Sequence, residues 1–270
     1  MLPLQYSKEY QVVIKNEIFS RSREAGVKQL QDEIEQALKG THNKIDWSTA
    51  SQKKKWLRKY NTASHSLSDS NLRITVEQQP KKQKTQSRIK IKYDCMDQDL
   101  CFDTENYGHS FVYPHKEFED QAKMKLEADI HQNYEKYALS CAIKVEKEIN
   151  LHILLDAECY FKRLDHIIHA DLDEPLVQVS EFIEYSYKDI TVYLANKTLS
   201  ATLIIRYKNN TTEIPSLVEF SFKVKREEKY WDYPLLLKTG QFYAQLLTIN
   251  SNFWKDKQKP FYFIPPANQN

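Results

Sequence analysis

Charged and apolar residues alternate with a period of two in several separated stretches, and that period fits strands. Residues 71–78 place Leu72, Ile74 and Val76 on one parity and Arg73, Thr75 and Glu77 on the other. Successive side chains of a strand point to opposite faces, so each such stretch has one apolar face and one charged face. Ile89, Ile91 and Tyr93 stand likewise against Arg88, Lys90 and Lys92, and Val218, Phe220, Phe222 and Val224 against Glu219, Ser221, Lys223 and Lys225. Arg206 and Lys208 share a face in 202–208, as do Glu158, Tyr160 and Lys162 in 157–163 and Glu9, Gln11, Val13 and Lys15 near the start. One reading is an ordinary antiparallel sheet with one wet face. The other is a barrel whose lumen the charged faces line. There, converging arginines and lysines would bind a polyanion, and glutamates would hold divalent cations bridging its oxygens.

Glycine scarcity narrows the chemistry. The chain has four glycines, Gly26, Gly40, Gly108 and Gly240, and no two are close together. Loops that cradle phosphate on backbone N–H groups need clustered glycines, so a Walker A loop, a dinucleotide-binding turn and a nucleophile elbow are all excluded. Any phosphate must be held by side chains. The net charge of +2 is too small to argue for general DNA binding. No apolar run reaches the length of a membrane span, and the first residues lack the pattern of a secretory signal. The cysteines Cys95, Cys101, Cys141 and Cys159 form no CxxC pair, so reduced thiols in a cytoplasmic protein are expected.

Along the chain, strands are expected near 10–15, 55–61, 71–78, 88–93, 151–163, 190–195, 200–208 and 217–226, with 176–187 open between strand and helix. Helical spacing marks 22–39, ended by Gly40, and 232–249, with Pro234 in its first turn. The longest helical pattern is 116–148, where Phe118, Ala122, Leu126, Ile130, Tyr134, Tyr137, Cys141, Val145 and Ile149 recur every three or four positions. It would lie across a sheet or serve as an interface. Residues 80–85 read as a turn with a basic tip of Lys81, Lys82 and Lys84. The acidic stretch from Asp94 to Glu105 lacks the glycine and terminal glutamate of a calcium loop. His166 and His169, with Asp165, Asp171 and Asp173, read as a solvated turn. With no repeat and no linker, one domain of about 8–250 with an extended aromatic tail is expected.

This order of parts resembles the CYTH superfamily, the triphosphate tunnel metalloenzymes. Their ExExK strand corresponds to Gln11-Val12-Val13-Ile14-Lys15, and the helix that follows to 22–39. Their tyrosine-aspartate-threonine strand end corresponds to Tyr60-Asn61-Thr62, their LRxR strand to Leu72-Arg73-Ile74-Thr75, and their lysine-bearing strand to Arg88-Ile89-Lys90-Ile91-Lys92. Val218-Glu219-Phe220-Ser221-Phe222-Lys223 is similar to their late glutamate strand. The resemblance covers 8–95 and, more loosely, 150–226. It implies an α+β fold built on an antiparallel tunnel with flanking helices, Mg2+ or Mn2+, and triphosphates, nucleotides or polyphosphate as substrates.

Several positions depart from that pattern. Gln11 and Val13 stand where carboxylates belong, Asn61 replaces the aspartate, Thr75 the second arginine, and Ser221 an expected glutamate. An amide or an alkyl group cannot hold a hard divalent ion as a carboxylate does. The expected site therefore has Lys15, Arg73, Arg88, Lys90, Lys92 and Arg206 as phosphate ligands, and Glu77, Glu158 and Glu219 as the carboxylates left for a metal. The leading expectation is binding of a phosphate-rich ligand, with metal-dependent triphosphatase-like hydrolysis as its catalytic form. The alternatives are a non-catalytic scaffold that engages a protein through 116–148 or the tail, and a nucleic-acid binder using the basic hairpin at 80–92.

Overall fold

The computed structural model describes residues 4–80, 85–95, 113–131, 135–208, 214–226 and 230–248. Nine strands close into one barrel. Its strands are β1 (Leu4–Val13), β3 (Ser51–Thr62), β4 (Leu72–Pro80), β5 (Thr85–Cys95), β7 (Ala122–Ile130), β8 (Glu135–Val145), β10 (Leu176–Leu194), β11 (Lys197–Lys208) and β12 (Leu217–Lys225). Going round, the order is β1-β7-β8-β5-β4-β3-β10-β11-β12, and β12 returns to β1 with Glu9 opposite Lys223 and Val13 opposite Glu219. Every pair is antiparallel except β1 with β7, so the barrel is mixed rather than wholly antiparallel. Closure leaves these nine strands no unpaired edge. A short β2 (Asn43–Asp46) adds to the last residues of β10, and β6 (Tyr113–Pro114) pairs with β9 (Phe161–Lys162) outside the barrel.

Alternation explains both the core and the lumen, because the apolar parity faces out and is roofed in two places. Ile74, Val76, Ile89, Ile91, Leu126, Leu139, Cys141 and Ile143 pack under α3 (Leu154–Glu158) and α4 (Leu164–Ile168), whose Leu154, Ala157, Leu164 and Ile168 are buried. Tyr10, Val12, Leu203, Ile205, Phe220 and Phe222 pack under α1 (Arg23–Leu38) and α5 (Tyr233–Leu247) through Leu30, Ile34, Phe242 and Leu246. Each such side chain taken from water is worth about 1.5–3 kcal/mol. With hydrocarbon spent on the outside, the charged parity is left to line the interior.

Both long helices carry N-caps, and Gly40 ends the first as expected. Ser22 accepts the amide of Ala25 at the start of α1, and Asp232 accepts that of Leu235 at the start of α5. Gly40, just past α1, takes φ 83°. Gly26 has a different constraint: a Cβ there would run into the fully buried ring of Phe19. Overpacking costs about 1–3 kcal/mol, against about 1 kcal/mol gained in helix propensity. Gly26→Ala is therefore expected to lower the denaturation midpoint; a rise would mean that the ring yields freely.

Three expectations are corrected. Residues 116–148 are not a helix but a 3₁₀ turn (Lys116–Gln121) followed by β7 and β8, paired from Ala122–Ile143 to Ile130–Glu135. The partner-binding role expected of that helix has no element to carry it. Residues 151–163 are not a strand but α3 and the two residues of β9, while the open segment 176–187 is strand, the first part of β10. The all-reduced cysteines also fail, since Cys95 is disulfide-bonded, with Cys141 and Cys159 free. The basic hairpin tip, the acidic stretch beyond Cys95 and the tail lie outside the described residues. Among the described residues, no helix is long and apolar enough to cross a membrane.

Candidate anion site in the barrel lumen

Leu72 and Ile74 enter the outer core, and Arg73 turns inward to an ion pair with Asp94 of β5. Tyr60-Asn61-Thr62 closes β3, but Asn61 has a structural task. Its Nδ2 donates to Ser68 Oγ at 3.0 Å, and its Oδ1 accepts the amides of Thr62 and Ser68. This pins the strand end to α2 (Ser66–Asp69).

Ion pairs fill much of the lumen. Glu184 on β10, 1% exposed, meets Lys55 of β3 at 3.0 Å and Nε of Arg206 at 2.7 Å. Burial alone would raise its carboxyl; Arg206 and Lys55 reverse that and hold it at about 2. Lys55 also reaches Glu77 at 3.0 Å, with Arg88 at 3.8 Å from the same carboxylate. Across the barrel, Lys223 bridges Glu9 at 2.7 Å and Glu127 at 2.5 Å. Lys92 lies 3.1 Å from Asp129 and 3.8 Å from Asp94, which Lys136 approaches at 3.2 Å. Against the cost of burial, their carboxylate neighbours hold Lys92 and Lys223 well above the usual lysine range.

Lys90 and Lys125 stand outside this pairing. Lys90, between Arg88 and Lys92 on the inward parity of β5, has no ion pair among the described residues. Burial first, then the charge of Lys92, pushes it down to about 8. Lys125 of β7 is also unpaired among those residues. Burial lowers it, and Lys223 and Arg88 add to that against the pull of Glu127. Lys125 adds a smaller push on Lys90 in the same direction as Lys92. Among the described residues, the lumen carboxyl in the same position is Glu219, which burial and then Glu9, Asp129 and Glu184 raise to about 7 despite Arg206. One mouth of the barrel is basic as well: Lys53, Lys123, Lys144, Lys188 and Lys225 hold inward-parity positions at the same ends of β3, β7, β8, β10 and β12. Such a rim attracts anions over the range of the salt-screened field.

The expected phosphate ligands Arg73, Arg88, Lys90, Lys92 and Arg206 are thus brought into one lumen, and all but Lys90 face a carboxylate there. Lys15 lies just past β1, before the 3₁₀ turn Asn16–Phe19. The expected metal carboxylates do not converge. Glu77 and Glu219 are in the lumen, but Glu158 sits outside at the end of α3, accepting the amides of Arg163 and Leu164 at 2.7 Å. Among the described residues no group of three His, Cys, Asp or Glu could hold a metal. Glu9, Glu77, Asp94, Glu127, Asp129 and Glu184 each already face a lysine or arginine nitrogen, so this donor set, paired as it is, does not fit Mg2+ or Mn2+. His166 and His169 are exposed, as expected of a solvated turn.

Sequence reasoning missed Lys125, Glu127 and Asp129, folded into the supposed helix, and Glu184, in the segment left open. A signal for the first three was present: Lys123, Lys125, Glu127 and Asp129 alternate with Met124, Leu126, Ala128 and Ile130.

No family model and no curated protein matches the sequence. Solved structures similar to the chain include a candidate adenylyl cyclase from Hippeastrum described as having a dominant triphosphatase activity. It is 10% identical, with 93% of this chain and 91% of that one covered and a TM-score of 0.47. A protein from Pyrococcus horikoshii is 8% identical, covering 94% and 95%, at a TM-score of 0.41. A candidate adenylate cyclase from Bacillus halodurans is 8% identical, covering 96% and 99%, at 0.40. The closed barrel with a charged lumen is the architecture that the CYTH resemblance implies.

Proposed function

We propose that the barrel is a binding tunnel for a multiply charged phosphate ligand, and that it binds this ligand through lysines rather than through a metal. The observation that carries this is the pair Lys90 and Lys125. In a lumen where Lys55, Arg73, Arg88, Lys92, Arg206 and Lys223 face carboxylates, these two are buried with no ion pair among the described residues, and burying unpaired charge is costly. A phosphate-rich anion between them would relieve that cost and accept charge-assisted hydrogen bonds from both. Arg88 and Lys92 flank them and can share the anion by loosening one side of their present pairs. Hydrolysis is not part of this reading, because the carboxylates that would position a metal and its water are engaged by lysines and arginines.

Titration calorimetry with tripolyphosphate tests it directly. Binding is expected with excess chelator present, and added Mg2+ should weaken it by competing for the ligand. Binding that appears only with Mg2+ or Mn2+ would overturn the metal-free site.

A further inference from the structure

Helix α5 is apolar on both sides. Its residues Tyr233–Leu247 carry a single charge, that of Lys238. Thr239, Phe242, Tyr243 and Leu246 are buried against the barrel, and Leu235, Leu236 and Leu247 pack beside them. On the opposite side Tyr233, Leu237, Gly240 and Ala244 recur every three or four positions, with Gln241 as the polar member of the stripe. Tyr233 and Leu237 are 72% and 65% exposed, and Tyr230, just ahead of the helix, is 77% exposed. Among the described residues no other large hydrophobic side chain exceeds 55%, so this is the barest apolar surface of the fold. A Cβ added at Gly240 would meet nothing within 4 Å, and Ala244 stands one turn on, so a notch opens beside Leu237. A helix that is hydrophobic all round belongs under cover on all sides.

The sequence just past the helix supplies that cover. Residues 249–270 begin with Ile249 and then Asn250-Ser251-Asn252, residue types that favour a chain reversal. Phe253-Trp254 come next, and Phe261-Tyr262-Phe263-Ile264 follow after a polar stretch. Along α5 the path from Gly240 back to Tyr233 is only about 10 Å at 1.5 Å per residue, well within the extended reach of the chain between Trp254 and Phe261. We infer that residues 253–264 fold back along the outer face of α5, with Phe253-Trp254 in the notch at Gly240 and Ala244 and the run from Phe261 to Ile264 over Leu237 and Tyr233. Burying aromatic rings against this face releases water from both. A second copy of the chain is the poorer occupant, because the stripe offers five residues against roughly 20–30 a side in a stable interface. A tethered segment needs less, since a short linker holds it at an effective concentration on the order of millimolar. The surface lies outside the barrel, so the inference stands apart from the anion-binding reading.

Chymotrypsin cuts after aromatic residues, so its action on the whole chain, followed by mass spectrometry, reads the docking directly. Cleavage after Phe253, Trp254 and Phe261 is expected to be at least about tenfold slower than in a free peptide of residues 249–270, because the protease acts on the undocked fraction alone. Gly240→Gln fills the notch with a polar side chain, and Leu237→Gln removes the apolar ridge beside it. Both positions face outward and glutamine suits a helix, so each variant should keep its fold by circular dichroism and lose the protection. Cleavage of the wild-type segment at the rate of the free peptide would overturn the inference. Protection that survives both substitutions would overturn it as well, since the segment would then be covered elsewhere. Protection that rises with protein concentration, together with a dimer in light scattering, would give the stripe to a second copy instead.

Discussion

Glu184→Ala is expected to destabilise the fold by about 3–5 kcal/mol, the usual cost of removing one partner from a buried ion pair. Glu184 is 1% exposed, and its carboxylate is shared by Lys55 and Arg206. Alanine would leave Arg206 without its carboxylate on the adjoining strand and Lys55 with Glu77 alone. The pH dependence gives a second check. The folded carboxyl sits at about 2, below the ordinary 4.5. A depressed carboxyl contributes stability that is full above its unfolded value and is lost as pH falls through the folded one. The gap between wild type and variant in urea denaturation should therefore be widest near neutral pH and close as the pH drops from about 4.5 towards 2. Equal midpoints at pH 7 would show that the ion pair contributes no net stability.

The same residue shows where the sequence stops being legible. Alternation was readable wherever a strand kept one apolar parity, and β4, β5 and β12 could be assigned with their inward residues. Glu184 lies between Ile183 and Tyr185, on a strand with apolar residues on both parities, so its direction was open until β10 had two neighbours. The supposed helix at 116–148 has a more instructive cause. Steps of four return to the same face of a helix, but four is also an even number, so they return to the same face of a strand. From Phe118 to Tyr134, and again from Tyr137 to Ile149, every step is four; the single step of three, Tyr134 to Tyr137, comes after the end of β7 at Ile130. Only the intervening residues decide. Leu139 and Ile143, omitted from the helical count, complete the strict alternation of Tyr137, Cys141 and Val145. The ion pairs were illegible for another reason: Lys223 meets carboxylates on β1 and β7, and no local pattern encodes the order in which distant strands close a barrel.

Lys90→Gln combined with Lys125→Gln should weaken tripolyphosphate binding by about a hundredfold or more, taking roughly 1.5–3 kcal/mol for each charge-assisted hydrogen bond lost. The sign of the stability change separates this from simple damage. Both lysines are buried without an ion pair among the described residues, and burial outweighs the pull of Glu127 on each, so removing their charge lifts that cost, and the double variant should melt no lower than wild type. The titration of Lys90 adds a third signature. Its folded value of about 8 lies below the ordinary 10.5. Between those values the unfolded chain holds the proton that the folded one has released, so the unliganded protein gains stability from Lys90 as pH rises through this window. Binding runs the other way. An anion beside Lys90 favours the ammonium, so the complex takes up a proton near pH 8, and affinity falls as pH climbs above it. Calorimetry at pH 8 in buffers of different ionisation enthalpy would read that uptake, which should vanish in Lys90→Gln. An affinity that stays flat from pH 7 to 9.5 and survives both substitutions would place the anion away from these lysines, and the tunnel would lose the observation on which its proposed function rests.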